Sequence, residues 1–216
     1  MNAEPPHRYR AVVFDMDGLL LDTEVVWQAA EEALFAAHGA VFTREDKMAV
    51  IGTAFDTTAR YFADRLGYPP ERGGALVDEL LEHMAEALQR DVAGRPGAME
   101  LVARLRGRVP LALATNSPRR LADAALATAG LTDVFDVIVT SDDVDRFKPD
   151  PDIYLLACRR LGFEPGEVLA LEDSAAGIAS AKAAGLACIA VPQFAETDVA
   201  AADRVIDSLE ELIPEF

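Results

Sequence analysis

A short run of apolar, β-branched residues recurs along this chain, and between recurrences the sequence turns helical. The first run is Arg10-Ala-Val-Val-Phe-Asp15. Comparable runs follow at Val109 to Ala114, Val137 to Thr140, Val168 to Leu171 and Leu186 to Val191. Runs this short and this uniformly apolar read as strands buried on both faces. Helical segments separate them at Pro118 to Ala129, Pro151 to Leu161 and Ser174 to Ala184. Asn116-Ser117-Pro118 offers an N-cap beside a helix-opening proline, and Pro149-Asp150-Pro151 does much the same. Gly130, Gly162 and Gly185 stand where a C-cap glycine belongs. Strand and helix alternating in this way predict a doubly wound α/β core, a parallel sheet with helices on both faces.

One segment breaks the rhythm. From about Asp22 to Gly94 the periodicity is helical throughout, with Val26, Ala30, Ala33, Leu34 and Ala37 on one face of a first helix. Further helices are expected near Thr43 to Ile51, Phe55 to Leu66 and Glu71 to Val92, punctuated by Gly52, Gly67-Tyr68-Pro69-Pro70 and Gly94-Arg95-Pro96-Gly97. An all-helical block inserted after the first strand looks like a lid. The expected division is an α/β core of residues 1–21 and 95–216 carrying a helical cap domain of residues 22–94. A length of 216 residues, 51% of them hydrophobic, suits a core with one such insert.

Charge narrows the partners. Lys and Arg total 20 against 37 Asp and Glu, a formal charge of −17, which repels nucleic acid and anionic membrane alike. An anionic substrate would therefore need a local group of cations or a metal. Cys158 and Cys188 are the only cysteines, each in an apolar stretch, and read as buried free thiols. Met1 to Arg10 is polar and lacks the apolar run of a signal peptide, so a cytoplasmic setting is expected, as a monomer or weak dimer.

In a doubly wound sheet, ligands bind at the carboxyl ends of the strands. Strand one ends in Asp15-Met-Asp17-Gly18, strand two in Thr115-Asn116-Ser117, strand four in Glu172-Asp173-Ser174, and Lys148 lies in the loop after strand three. Any one of these residues is ordinarily a turn or cap. Together they crowd carboxylates onto one edge, and unpaired carboxylates at close range need a cation between them. Oxygen ligands from carboxylates suit magnesium. Lys148 and the amides at Ser117-Pro118, where a helix begins, can hold a phosphate.

These residues carry a family resemblance. Asp15-Met-Asp-Gly-Leu-Leu-Leu-Asp22 resembles the first motif of the haloacid-dehalogenase-like superfamily, Thr115-Asn116 the second, Lys148-Pro-Asp-Pro-Asp-Ile-Tyr154 the third and Leu171-Glu-Asp-Ser-Ala-Ala-Gly-Ile178 the fourth. The resemblance implies a strand order of five-four-one-two-three and a helical cap after motif one. It implies a phosphatase that hydrolyses small, soluble phosphate monoesters with Mg2+. Asp15 would be the nucleophile, giving an aspartyl-phosphate, and Asp17 the general acid and base. Asp15, the Asp17 backbone carbonyl and Asp173 would hold the metal, with Glu172 reaching it through water. Thr115, Asn116 and Lys148 would grip the transferring oxygens. Gly52, Thr53, Trp27, Phe55 and Arg119 are candidates for contacts to the leaving group.

Relatives with other chemistry are set apart by single positions. The dehalogenases lack the second aspartate of motif one, which is Asp17 here. The phosphonatases use a cap lysine. The only one here, Lys47, is flanked by Arg44-Glu45-Asp46 and reads as part of a solvated helix face. The β-phosphoglucomutases carry a histidine and an arginine where this chain has Trp27 and Phe55. A binding protein on the same fold would be free to lose Asp15, Asp17, Lys148 or Asp173, and all four are present.

Overall fold

The computed structural model describes residues 9–50 and 55–216, so Gly52 and Thr53 lie outside the described residues. The chain divides into two compact units, one built from the residues up to Asp22 together with Val92–Phe216, the other from Thr23–Asp91.

The Thr23–Asp91 unit holds α1 (Glu24–Ala37), α2 (Arg44–Val50), α3 (Phe55–Arg65) and α4 (Gly73–Leu88). Helix α4 buries Leu76, Leu80, Met84 and Leu88, apolar residues three or four apart that form one stripe. Phe35 from α1 meets Phe42 and Phe62 edge-on, with ring centroids 5.0 and 5.3 Å away. The expected helix from Glu71 is shorter, because a 3-10 turn at Pro70–Arg72 precedes it and it stops at Leu88.

The other unit is built on six strands: β1 (Ala11–Phe14), β2 (Leu111–Ala114), β3 (Val137–Val139), β4 (Val168–Glu172), β5 (Ala187–Ala190) and β6 (Arg204–Val205). They lie in the order β3-β2-β1-β4-β5-β6, and every neighbouring pair is parallel. The first five strands follow the order the resemblance implied. The sixth, two residues long, extends the sheet beyond it. Strand β1 is central, and Ala11, Val12, Val13 and Phe14 are fully buried, which is why its sequence is apolar without alternation.

Helices α5 (Ala98–Leu105), α6 (Arg119–Thr128), α7 (Asp152–Leu161) and α8 (Ala175–Ala183) accompany the sheet. The sequence reading missed α5, although its buried Ala98, Leu101, Val102 and Leu105 mark a helical stripe. Gly130, Gly162 and Gly185 have positive φ just past α6, α7 and α8, as expected of helix stops. Val13, Ala112, Ala114 and Ala170 of the sheet share one buried cluster with Ile153, Tyr154 and Ala157 of α7. Cys158 and Cys188 are buried free thiols. No helix among the described residues is long and apolar enough to cross a membrane.

Candidate active site

The sheet sets the spacing of the site. Asp15 follows β1 directly, and its N–H still donates to the Leu171 carbonyl of β4 at 3.0 Å. Thr115 follows β2, with its N–H on the Val139 carbonyl at 3.0 Å. Glu172 is the last residue of β4 and Asp173 the next. Three adjacent strands, about 4.8 Å apart, thus deliver their terminal side chains to one edge, where the strand order reverses. Gly18 turns the chain away from that edge with φ of +87°, and a Cβ there would lie 2.3 Å from Asp173 Oδ2. Glycine is required at that position by both backbone and space.

Lys148 arrives on a loop and is fixed by Asn116. The Asn116 Oδ1 accepts the Lys148 N–H at 3.0 Å, and its Nδ2 donates to the Lys148 carbonyl at 3.3 Å. The buried ammonium of Lys148 donates to Asp15 Oδ1 at 2.5 Å, Glu172 Oε1 at 2.6 Å and the Ala114 carbonyl at 2.8 Å. An ammonium has three hydrogens, so all are committed. Glu172 is fully buried. Its Oε1 also accepts from the Tyr154 hydroxyl at 2.5 Å, and its Oε2 accepts from Ser174 Oγ at 3.3 Å. Asp17 Oδ2 accepts from Thr115 Oγ1 at 2.9 Å and Ser117 Oγ at 2.8 Å.

Asp15, Glu172 and Asp173 are buried beside a single buried lysine. With all three ionised, two negative charges remain unmatched, the charge of one divalent cation. The ionisation behaviour carries the same imprint. Burial pushes Asp15 well above the usual carboxylate range, with Glu172, Asp173 and Asp17 adding to it and Lys148 opposing. Burial, then Glu172, pushes Asp173 up to about 8. Burial alone would lower Lys148, but Asp15 and Glu172 outweigh it and hold the ammonium above its ordinary range. Asp15, Glu172 and Asp173 each offer an oxygen within 4.8 Å of the others, so one cation could touch all three. Oxygen-only ligands fit a hard divalent ion.

Residues 9–185 match the family described as haloacid dehalogenase-like hydrolase. The chain belongs to the haloacid dehalogenase-like hydrolases. It is an enzyme of that family, and named phosphatases are among its relatives. Validoxylamine A 7'-phosphate phosphatase of Streptomyces hygroscopicus subsp. limoneus is 35% identical, over 94% of this chain and 96% of that protein. Fructose-1-phosphate phosphatase YqaB of Escherichia coli (strain K12) is 33% identical, over 85% and 97%. The crystal structure of CbbY from Rhodobacter sphaeroides in complex with phosphate superposes with a TM-score of 0.83 at 33% identity, covering 94% of this chain and 96% of that one.

This haloacid dehalogenase-like hydrolase brings Asp15, Asp17, Thr115, Lys148, Glu172 and Asp173 to one strand edge, with the Asn116 side chain committed to the Lys148 peptide. Ser117, expected to cap α6, instead points its hydroxyl at Asp17, beside Thr115. Its two-residue spacing from Thr115 was the available signal, since alternate residues leaving a strand share a side. Arg119 bonds the Ile138 carbonyl at 3.0 Å and Asp143 at 3.5 Å. In the Thr23–Asp91 unit, Trp27 and Phe55 meet each other with centroids 6.3 Å apart. Lys47 is not on a solvated face. It bridges Glu24 at 2.7 Å and the buried Glu31 at 2.9 Å, partners drawn from another helix.

Proposed function

We propose that this chain is a cytoplasmic, magnesium-dependent phosphatase that hydrolyses phosphate monoesters of sugars, polyols or similar small metabolites through an aspartyl-phosphate. The observation that carries the proposal is the Asp15–Lys148 pair at the centre of a buried cluster of three acids and one lysine. The named relatives, a validoxylamine A 7'-phosphate phosphatase and a fructose-1-phosphate phosphatase, support the substrate class.

Asp15 is the nucleophile. Its carboxylate oxygen bonds to phosphorus as the ester P–O bond breaks, and Asp17 gives its proton to the departing alkoxide. A water then attacks phosphorus, Asp17 takes the water's proton, and Asp15 is released with inorganic phosphate. The Thr115 and Ser117 hydroxyls fix the Asp17 carboxyl through its Oδ2. Lys148 offsets charge at Asp15, and the Asn116 side chain fixes the Lys148 backbone. Asp15 and Asp173 would hold magnesium with the Asp17 carbonyl, and Glu172 would reach it through water. Magnesium neutralises charge so that an anionic nucleophile can meet an anionic phosphoryl group. Trp27 and Phe55 stand where the β-phosphoglucomutases carry a histidine and an arginine, and that difference favours hydrolysis over phosphoryl transfer between two positions of a sugar.

The test is phosphate release from p-nitrophenyl phosphate and a panel of sugar and polyol phosphates. Hexose phosphate isomerisation is followed in the same preparation. Release should require magnesium, stop with chelator, exceed isomerisation, and drop by at least about a hundredfold in Asp15→Asn. An Asp15→Asn variant retaining more than about a tenth of wild-type turnover would remove Asp15 as the nucleophile.

A further inference from the structure

Tyr154 has no part in the chemistry above, yet its hydroxyl reaches into the catalytic cluster. We propose that Tyr154 is a positioning residue for this reaction, its hydroxyl fixing Glu172 so that Lys148 is aimed at Asp15; the proposal rests on the phosphatase reading. Tyr154 lies in the first turn of α7 and is fully buried. Its O–H donates at 2.5 Å to the same Glu172 oxygen that accepts the Lys148 ammonium at 2.6 Å.

The geometry leaves Glu172 one place to be. On the α8 side, a Cβ at Gly177 would lie 1.9 Å from Glu172 Oε2, so the carboxylate presses against bare backbone. Opposite, Tyr154 and Lys148 share Oε1. Lys148 is in turn oriented by two anchors, Glu172 and the Ala114 carbonyl, which leave its third hydrogen pointing at Asp15 Oδ1. Without the tyrosine hydroxyl, Oε1 would draw on the ammonium alone, and the lysine would be pulled from Asp15 toward Glu172. The ring and the hydroxyl are separable. Lys148 Nζ sits 5.2 Å from the ring centroid, a contact that phenylalanine would keep. The charge-assisted bond to Glu172 is the part that phenylalanine would lose.

Tyr154→Phe in the full chain with magnesium is the test. It should lower kcat on p-nitrophenyl phosphate by about tenfold while KM stays within about twofold, as expected for loss of one hydrogen bond to a charged group. In a Glu172→Gln background the same change should add less than about twofold, because the hydroxyl acts through Glu172. Wild-type kcat in Tyr154→Phe, or a full tenfold loss in both backgrounds, overturns the proposal. Lysine ammonium exchange in 15N-labelled protein provides a readout that needs no turnover. The Lys148 protons should exchange at least about tenfold faster in Tyr154→Phe than in wild type, since buried charge-assisted bonds slow exchange. Equal exchange rates overturn the positioning role even if the protein proves to hydrolyse no phosphate ester, a result that would sink the phosphatase reading separately.

Discussion

Asp173 would couple stability to the proposed metal. Burial and Glu172 raise it from its ordinary 3.8 to about 8. The folded state therefore holds a proton that the unfolded chain has released. The stability this confers is present below about pH 4 and is lost as pH rises toward 8. Asp15 is displaced in the same direction. A divalent cation binds the ionised carboxylates, so its stabilising effect should grow over that interval. Thermal unfolding at pH 5.5 and pH 8 should show a larger upward shift with magnesium at pH 8. Equal shifts would count against a metal bound at Asp15 and Asp173. At this scale the sequence was informative about residue types and less so about their partners. Asp15, Asp17, Lys148 and Asp173 stood out because together they crowd acids and a lysine onto one sheet edge, where each alone would read as a turn or cap. The commitment of Asn116 to the Lys148 peptide was hidden, because it joins residues 32 apart in the chain. Lys47 was misread for the same reason, since Glu24 and Glu31 come from another helix.

Among the elements, α2 depends on one buried acid. Asp46 Oδ2 accepts from the Thr43 N–H and hydroxyl, both at 2.7 Å. Its Oδ1 accepts from the Tyr61 hydroxyl at 2.7 Å and Arg65 Nε at 2.8 Å, tying the start of α2 to α3. Burial opposes ionisation, yet the bonds from Thr43, Tyr61 and Arg65 hold Asp46 down to about 2. Its contribution is present above the ordinary carboxylate pKa and fades as pH falls toward 2. Asp46→Ala strands these donors and should destabilise the Thr23–Asp91 unit by about 2–3 kcal/mol. The single tryptophan, Trp27, reports that unit's unfolding by its emission. A change under about 0.5 kcal/mol would show that the bonds are replaced by water. Elements with long apolar periodicity were legible from sequence, and those without it were not. Strand β6 has only Arg204 and Val205, too few to display alternation. Helix α5 was overlooked because it is short and begins just after Gly97, which read as a boundary.

Across the whole molecule, the parallel sheet followed from the alternation of elements, whereas its strand order came from the family resemblance rather than from periodicity. The ladder carries a consequence for how the catalyst breathes. The amides of Asp15 and Thr115 are bonded to carbonyls of neighbouring strands, while the Lys148 amide is held, among the described residues, by the Asn116 side chain. Amides locked into a central ladder meet solvent only when the sheet opens, but one held by a loop side chain is released by local fluctuation. In deuterated water, Asp15 and Thr115 should therefore exchange as slowly as Val13 in mid-strand, with Lys148 at least about tenfold sooner. The peptide of the proposed nucleophile would then be as durable as the fold itself, and the Lys148 peptide would open many times before the sheet opened once.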